Sequence, residues 1–336
     1  MSWFQDQKEL GFLHSLVFKI IKSGNIPKHV AIIMDGNRRF ARKHCLEKKD
    51  GHSKGFEKLA QVLHWCFELG IPEVTVYAFS TENFKRSEEE VNGLMALAKE
   101  KFDRLMEEKD MIMKYGVCVR VLGDASLLPE DVRTSVARVV DFSKMNSKST
   151  LNVAMAYSSR HEITEAVKEI AAGIKNGLLA KNDLNELLLE KCLYSRKSAD
   201  VDLLIRTSGE VRLSDFLMWQ SSYSMLAFVD ELWPEFTIWQ FLKCVLSYQL
   251  GYSVLQDTRK TLQQRQIHDI TIQDMIQAQR NILETVERGE HMGENAGSTE
   301  QIWLNDELKK VTLDRECRVE RFLANLEQKR NSLMQS

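Results

Sequence analysis

Two hydrophobic periods alternate along the chain from Ile26 to about Tyr252. Short, β-branched apolar runs read as buried strands: Val30–Met34, Val74–Phe79, Val117–Leu122, Leu151–Ala156, Val201–Ile205 and Met225–Val229. Between them, longer stretches repeat apolar residues at helical spacing. Gly55–Leu69 is closed by Gly70-Ile71-Pro72, Ser87–Lys114 opens on a Ser87/Glu90 capping-box pattern, and Pro129–Phe142 and Glu162–Ile174 follow. Strand–helix alternation with helix-length crossovers predicts an α/β fold with a central, mostly parallel sheet flanked by helices. Ligands of such sheets bind beyond the carboxyl ends of the strands, so polar clusters at those ends are the places to look.

The ends follow other patterns. Residues 1–25 carry Leu10, Phe12, Leu13, Leu16, Val17, Phe18, Ile20 and Ile21, broken by His14, Ser15 and Lys19 and preceded by Asp6 and Glu9. This is not a secretory signal. It predicts an amphipathic helix ended by Gly24, either packed on its own domain or touching a membrane or lipidic substrate. Beyond the domain predicted over 26–254, residues 255–336 are rich in Gln, Glu, Arg and Lys. Ile272, Met275 and Ile276 mark one helical face there, and Val319, Phe322, Leu323 and Leu326 another. Gly289–Ser298 reads as a turn between them, and Asn281–Glu300 as a candidate disordered segment. The tail is thus predicted to be a helix-turn-helix extension, a hairpin suited to assembly.

Composition narrows the function. Against 46 Lys+Arg stand 48 Asp+Glu, a formal net charge of -2, which argues against a general nucleic-acid binder. No apolar run reaches the roughly 18–20 residues needed to span a bilayer. The 6 cysteines are scattered without CxxC or Cys/His zinc spacing, as expected of free thiols in a reducing compartment.

The chemistry gathers at strand ends. The first strand runs into Asp35-Gly36-Asn37-Arg38-Arg39. Asp35 is a hard oxygen ligand suited to Mg²⁺, Gly36 allows close backbone approach, and Arg38 and Arg39 offer forks for phosphate oxygens. Downstream, His52 lies between Gly51 and Gly55, read as preceding a helix whose N-terminus favours an anion. The second strand places Ser80, Asn83 and Arg86 together, a hydroxyl, an amide and a guanidinium able to position a polar head group and relay a proton. The fourth ends near Arg160, with His161 and Glu162 read as opening a helix. The fifth leads to Arg206, Arg212 and Ser214, with Glu210 between the arginines. One carboxylate among many arginines points to a Mg²⁺-dependent site for one or two diphosphates. Val91, Leu94, Met95, Leu97, Ala98, Phe102 and Leu105 are either core or the lining of a cleft for a hydrocarbon chain.

The segments His29–Phe40, Val74–Arg86, Tyr157–Ile163, Asp202–Gln220 and Trp233-Pro234-Glu235-Phe236 resemble the signature segments of the cis-prenyltransferases, in order and spacing, over about Pro27 to Tyr252. Within the family the chain is most similar to catalytic subunits of the eukaryotic, dolichol-precursor branch, through Ser159-Arg160-His161, Asp215 and the long tail. The resemblance implies a butterfly-like fold with a hydrophobic tunnel, and Mg²⁺-dependent cis-condensation of isopentenyl diphosphate onto farnesyl diphosphate. It implies that Asp35 binds the metal and that Gly36, Asn37, Arg38, Arg39 and His52 form the allylic diphosphate pocket. Ser80, Asn83 and Arg86 would serve substrate positioning and proton removal, and Arg206, Arg212 and Ser214 the isopentenyl diphosphate site.

Two departures bear on partners. Homomeric members carry a glutamate metal ligand where Met225 stands here, and an Arg-x-Gly segment that the tail lacks. The resemblance therefore implies a non-catalytic, membrane-anchored subunit of the Nogo-B receptor type supplying the missing segment, with peripheral placement on the cytosolic side of the endoplasmic reticulum and a higher heteromer formed through the hairpin. Two alternatives stand beside this reading: a non-catalytic scaffold of the same family, and a phosphatase using Asp35 as nucleophile. The first is opposed by retention of Asp35 and the arginines, the second by Asn37 where a second aspartate is needed.

Overall fold

The six predicted strands are β1 (His29–Ile33), β2 (Glu73–Ser80), β3 (Val117–Leu122), β4 (Ser149–Tyr157), β5 (Leu203–Arg206) and β6 (Met225–Phe228). In this computed structural model, which describes Trp3 and residues 12–288 and 298–335, they form one sheet in the order β3-β4-β2-β1-β5-β6. Every neighbouring pair is parallel. The adjacent strands β1 and β5 are buried along their whole length, whereas the edge strand β6 is short and half exposed. Burial on both faces explains why these runs are continuously apolar rather than alternating. Each such Val, Ile or Leu contributes about 1.5–3 kcal/mol on leaving water. The chain leaves β1 for β2 on one side and later returns to β5 on the other, which puts the switch point of the sheet at the carboxyl end of β1.

The helices are α1 (Phe12–Lys22), α2 (Asn37–Lys43), α3 (Lys48–Leu69), α4 (Glu88–Glu107), α5 (Lys109–Tyr115), α6 (Glu130–Ser143), α7 (Ser159–Lys175), α8 (Glu186–Cys192), α9 (Ile238–Glu287) and α10 (Ser298–Gln335). Helix α1 ends at Ser23-Gly24 as its sequence predicts, buries Phe18 and Ile21, and leaves Leu16 and Ile20 exposed. Of the predicted stretch 1–25, residues 1–2 and 4–11 lie outside the described residues, as does the turn predicted over Gly289–Ser298 except for Ser298, which opens α10. The helix predicted from Gly55 starts at Lys48 instead. The one predicted over Ser87–Lys114 breaks at Glu108 (φ -96°, ψ 24°), whose carboxylate accepts from the Trp3 backbone N at 2.9 Å and from Arg104 Nε at 3.1 Å.

Two compact units emerge. One comprises residues 1–162, 197–256 and 333–336 and contains the sheet; the other comprises 163–196 and 257–332. The tail is therefore not a unit by itself: part of α7, the segment to Arg196 and the tail helices pack together. Helix α9 passes through residue 255 without a break, because no proline follows Pro234 in the chain. It continues through residues 281–287, where disorder was a candidate. In this second unit Asp183, 1% exposed, takes both Arg318 Nε at 3.0 Å and Nη2 at 2.8 Å, and Asp274 accepts from Arg315 Nε at 3.1 Å and Thr312 Oγ1 at 3.0 Å.

Candidate active site

The switch point holds Asp35. Its backbone carbonyl accepts from Thr207 Oγ1 at 2.8 Å and from the Trp233 N–H at 2.9 Å, which fixes the turn after β1. The next residue needs glycine: Gly36 sits at φ +106°, and a Cβ there would meet Leu232 atoms at 3.0–3.1 Å. The Asp35 carboxylate, 34% exposed, accepts from Arg206 Nη2 at 2.8 Å and from the Gly36 N–H at 2.6 Å, with Arg39 Nη2 at 3.8 Å. Burial alone would raise its pKa, but the hydrogen bond and charge of Arg206, the Gly36 amide and the charge of Arg39 outweigh it and hold the carboxyl below its ordinary range.

Arg206 ends β5 and is 3% exposed. Its Nη1 donates to Ser214 Oγ at 2.7 Å and to the Arg212 carbonyl, so one guanidinium ties Asp35 to the following loop. That loop is bent by left-handed backbone at Ser208, Ser214, Asp215 and Leu217. Non-glycine residues there cost about 1–3 kcal/mol each, and surrounding contacts must hold them. Those contacts are present. Glu210 bridges Arg212 and Arg39, the latter at 3.6 Å. The Phe216 ring stacks on Tyr77 with centroids 4.4 Å apart. Ser159 Oγ accepts from the Met218 N–H at 2.7 Å, and Asp215 accepts from the Arg160 N–H at 3.1 Å and its Nε at 3.0 Å. Glu162, 1% exposed, accepts from Tyr157 Oη at 2.5 Å and Gln220 Nε2 at 2.9 Å. Glu162, read from sequence as a helix opener, is thus a buried anchor of this loop.

On the other side of β1, the pairing of β2 with β4 shifts register between Tyr77 and Ser80, which re-aims the end of β2. Ser80 and Asn83 then cap each other's backbone: Ser80 Oγ accepts from the Glu82 N–H at 3.1 Å, and Asn83 Oδ1 from the Ser80 N–H at 3.0 Å. Arg86 donates to Glu90 Oε1 at 3.0 Å. The Ser87/Glu90 pattern is only half a capping box. Ser87 Oγ accepts from the Glu90 N–H at 3.4 Å, but the Glu90 carboxylate turns to Arg86, to Arg38 at 3.6 Å and to Lys48 at 3.1 Å.

His52 sits within α3, not ahead of it, so no helix N-terminus is presented at that point. The close approach of α3 to α2 explains the nearby glycine: a Cβ on Gly55 would lie 2.2 Å from Asn37 Oδ1. Burial, with the charges of Arg86 and Arg38, lowers the His52 pKa to about 4. Its Nε2 and Asn37 Oδ1 are buried without a hydrogen-bond partner among the described residues.

The site residues predicted from sequence meet in one cavity of about 900 Å³. Asp35, Gly36, Asn37, Arg38, Arg39, His52, Ser80, Asn83, Arg86, Arg206, Arg212 and Ser214 all line it, as does Arg160. Part of its lining is apolar, with the buried Lys101 beside it, whose Nζ lies 4.7 Å from the Phe56 ring centroid. Phe56, Leu59, Leu94, Leu97, Ala98 and Phe102 line the wall, whereas Met95 is core. Leu105 lines a second, smaller apolar cavity of about 110 Å³, and Trp3 borders both. Trp3 is held by its Nε1–H to the Lys101 carbonyl at 2.8 Å and packs edge-on to Phe56 at 4.6 Å. Sequence patterning gave no signal for Trp3 or for the approach of Arg38 and Lys48 to Glu90, since both depend on contacts between distant segments.

The donor set bears on a metal. Among the described residues no three His, Cys, Asp or Glu side chains converge on one point. Asp35 offers a single ionised, part-exposed carboxylate, which fits Mg²⁺, an ion that takes one or two carboxylates and completes its shell with water and substrate phosphates. Met225 opens β6 opposite Leu203, at the end of the strand away from the Arg206–Phe228 pair, and does not line the cavity.

Known proteins resemble this chain in sequence and in fold. A family model described as undecaprenyl diphosphate synthase matches residues 33–253. The human dehydrodolichyl diphosphate synthase complex subunit DHDDS is 49% identical over 330 residues, covering 98% of this chain and 96% of that protein. A tritrans,polycis-undecaprenyl-diphosphate synthase (geranylgeranyl-diphosphate specific) of Pyrococcus horikoshii is 50% identical over 229 residues, 68% of this chain and 86% of that one. Among solved structures, lavandulyl diphosphate synthase from Lavandula x intermedia, in complex with dimethylallyl diphosphate, superposes with a TM-score of 0.64 at 32% identity, covering 67% of this chain and 95% of that one. By sequence and by fold, this chain belongs to the undecaprenyl diphosphate synthase family of prenyltransferases.

Proposed function

We propose that this chain is the catalytic subunit of a dehydrodolichyl diphosphate synthase complex, extending farnesyl diphosphate by successive cis-condensations with isopentenyl diphosphate to a long polyprenyl diphosphate, the precursor of dolichol for protein glycosylation. The carrying observation is a cavity lined by Arg38, Arg39, Arg86, Arg160, Arg206 and Arg212 around Asp35, and also by the apolar side chains Phe56, Leu59, Leu94, Leu97 and Phe102, the two environments a prenyl diphosphate needs. In each cycle a C–O bond to the departing diphosphate breaks, a C–C bond to the isopentenyl group forms, and one proton leaves.

Arg38, Arg39 and His52, with the Gly36 turn, would hold the allylic diphosphate, and Arg206, Arg212 and Ser214 the isopentenyl diphosphate. Their guanidiniums favour the charge that develops on the leaving group. Holding both substrates in one cavity supplies the entropic part of the rate. Neutral His52 donates or accepts a hydrogen bond without adding charge at neutral pH. Asn37, Ser80, Asn83 and Arg86 line the same mouth and orient the reacting ends. Asp35 would hold Mg²⁺, which when bound neutralises the diphosphate oxygens.

The relative's description as a complex subunit supports a second subunit here. A non-catalytic, membrane-anchored partner of the Nogo-B receptor type fits the absence of an Arg-x-Gly segment from the tail. It would seat the complex on the cytosolic face of the endoplasmic reticulum; among the described residues no helix is long and apolar enough to cross a membrane. The segment over 255–336 would serve assembly into a higher heteromer. The test is product formation from farnesyl and isopentenyl diphosphates with Mg²⁺. Co-purified complex is expected to make long chains and the single chain very little. Robust long-chain synthesis by the single chain would overturn the need for a partner.

A further inference from the structure

Glu90 stands at the meeting of four elements. It lies in the first turn of α4, Arg38 belongs to α2, Lys48 opens α3, and Arg86 follows the 3-10 turn after β2. Its side chain is 10% exposed. Oε1 accepts from Arg86 Nη1 at 3.0 Å with Arg38 Nη1 at 3.6 Å, and Oε2 takes Lys48 Nζ at 3.1 Å. Arg38 and Arg86 line the cavity, while Glu90 does not. The carboxylate therefore stands behind the two guanidiniums. It engages Nη1 of each fork, which leaves the other donors of the planar groups for the cavity.

Without a shared anion, two like charges so placed would repel and swing apart on long side chains. With it, three cations facing one carboxylate leave a surplus of two positive charges (3 − 1 = 2) at this corner of the mouth. His52, whose buried Nε2 has no partner among the described residues, lines the same cavity and can donate there as its Nε2–H tautomer. A fixed cationic corner beside such a donor suits a multiply charged oxyanion.

We propose that Glu90 is the positioning residue for diphosphate binding, fixing Arg38 and Arg86 so that their free donors meet a substrate diphosphate group. The inference rests on the diphosphate-binding reading above. It assigns no chemistry to Glu90, which acts through the arginines alone. Fixing a group equally for ground and transition states changes KM and leaves kcat nearly unchanged.

The experiment uses the full-length chain co-purified with its partner subunit, as wild type, Glu90→Gln and Glu90→Asp. Glu90→Gln keeps the side-chain size and the Ser87 cap on its backbone, so melting temperature is expected to stay near wild type. Inorganic diphosphate binding, read by calorimetry, is expected to weaken about tenfold, and the KM for one of the two prenyl substrates to rise about as much, with kcat within about threefold. Glu90→Asp is expected to recover part of the binding. In an Arg38→Ala/Arg86→Ala background Glu90→Gln should add less than about twofold, because the groups it acts through are gone. Unchanged diphosphate affinity in Glu90→Gln, a loss in kcat alone, or full additivity with the arginine variants would overturn the inference. A complex that binds diphosphate in a Glu90-dependent way yet makes no polyprenyl product would overturn the proposed function and leave this inference standing.

Discussion

Asp–Arg pairs occur in both units of this chain and do different things. Asp35 and Arg206 join two adjacent strand ends; the arginine is 3% exposed, yet the carboxylate is 34% exposed and lines a cavity. Asp183 and Arg318 reverse this arrangement, with the carboxylate 1% and the guanidinium 36% exposed, and both carboxylate oxygens taken by the one arginine. The first pair leaves its anion reachable by a cation from solution. The second has no room for a ligand and joins chain segments far apart in sequence. The same chemistry thus becomes a site or a staple according to which partner is exposed.

Replacing the two aspartates should separate these roles. Asp35→Asn in the complex is expected to lower the elongation rate by about 10³-fold, the scale of losing an electrostatic and metal-holding group, with a small change in melting temperature, because the amide oxygen can still accept from Arg206, which is 3% exposed. Incorporation of labelled isopentenyl diphosphate measures the rate, and circular dichroism the melt. A variant that melts early but keeps its rate would make Asp35 the staple. Asp183→Ala is expected to do the opposite. It should cost about 3 kcal/mol in urea unfolding, the low end for a broken buried pair because Arg318 can reach water, while KM for both diphosphates stays within about twofold.

Acid sharpens the contrast further. The folded His52 pKa is about 4, below its ordinary value of 6.5. Between these values the unfolded chain binds a proton that the folded chain does not, so stability falls as pH drops from about 6.5 toward 4. The loss is at most about 3 kcal/mol for this group. Asp35 keeps its charge through the window, since its carboxyl is held below the ordinary carboxylate range. Urea midpoints at pH 7 and pH 5 measure the slope, and His52→Gln should flatten it. An unaltered slope in that variant would place the acid sensitivity elsewhere. The smallest expected effect concerns the apolar lining. Trp3→Ala removes the side chain bordering both cavities, and the product distribution, read chromatographically after dephosphorylation, is expected to shift to longer chains with the rate little changed. An unshifted distribution would mean that Trp3 does not bound the growing chain.

Much of this was legible before folding was considered. Six apolar runs became six strands because short β-branched apolar runs leave a local signature that needs no partner to be read, clearest in β1 and β5, which are buried throughout. Asp35 and Arg206 stand near each other across the sheet because β1 and β5 pair in parallel with their polar ends in register. Helices α2 and α8 escaped the pattern because each is only 7 residues long, too short to show a clear period. Glu90 was visible as a capping residue. Its pairing with Arg86 has local i,i+4 spacing, but its engagement with Arg38 and Lys48 joins segments far apart in sequence and has no local signature. Glu162 was hidden in the same way, its partners Tyr157 and Gln220 being brought together by the loop after β5.

The sequence by itself determined the fold class, the order of strands and helices, and the residue types at each strand end, because backbone periodicity and turn chemistry are local and repeat every few residues. Tertiary structure alone decided which arginine faces which carboxylate, how deeply each carboxylate is buried, and that Trp3 reaches the cavity. Those outcomes depend on distances and desolvation set by residues far apart in the chain.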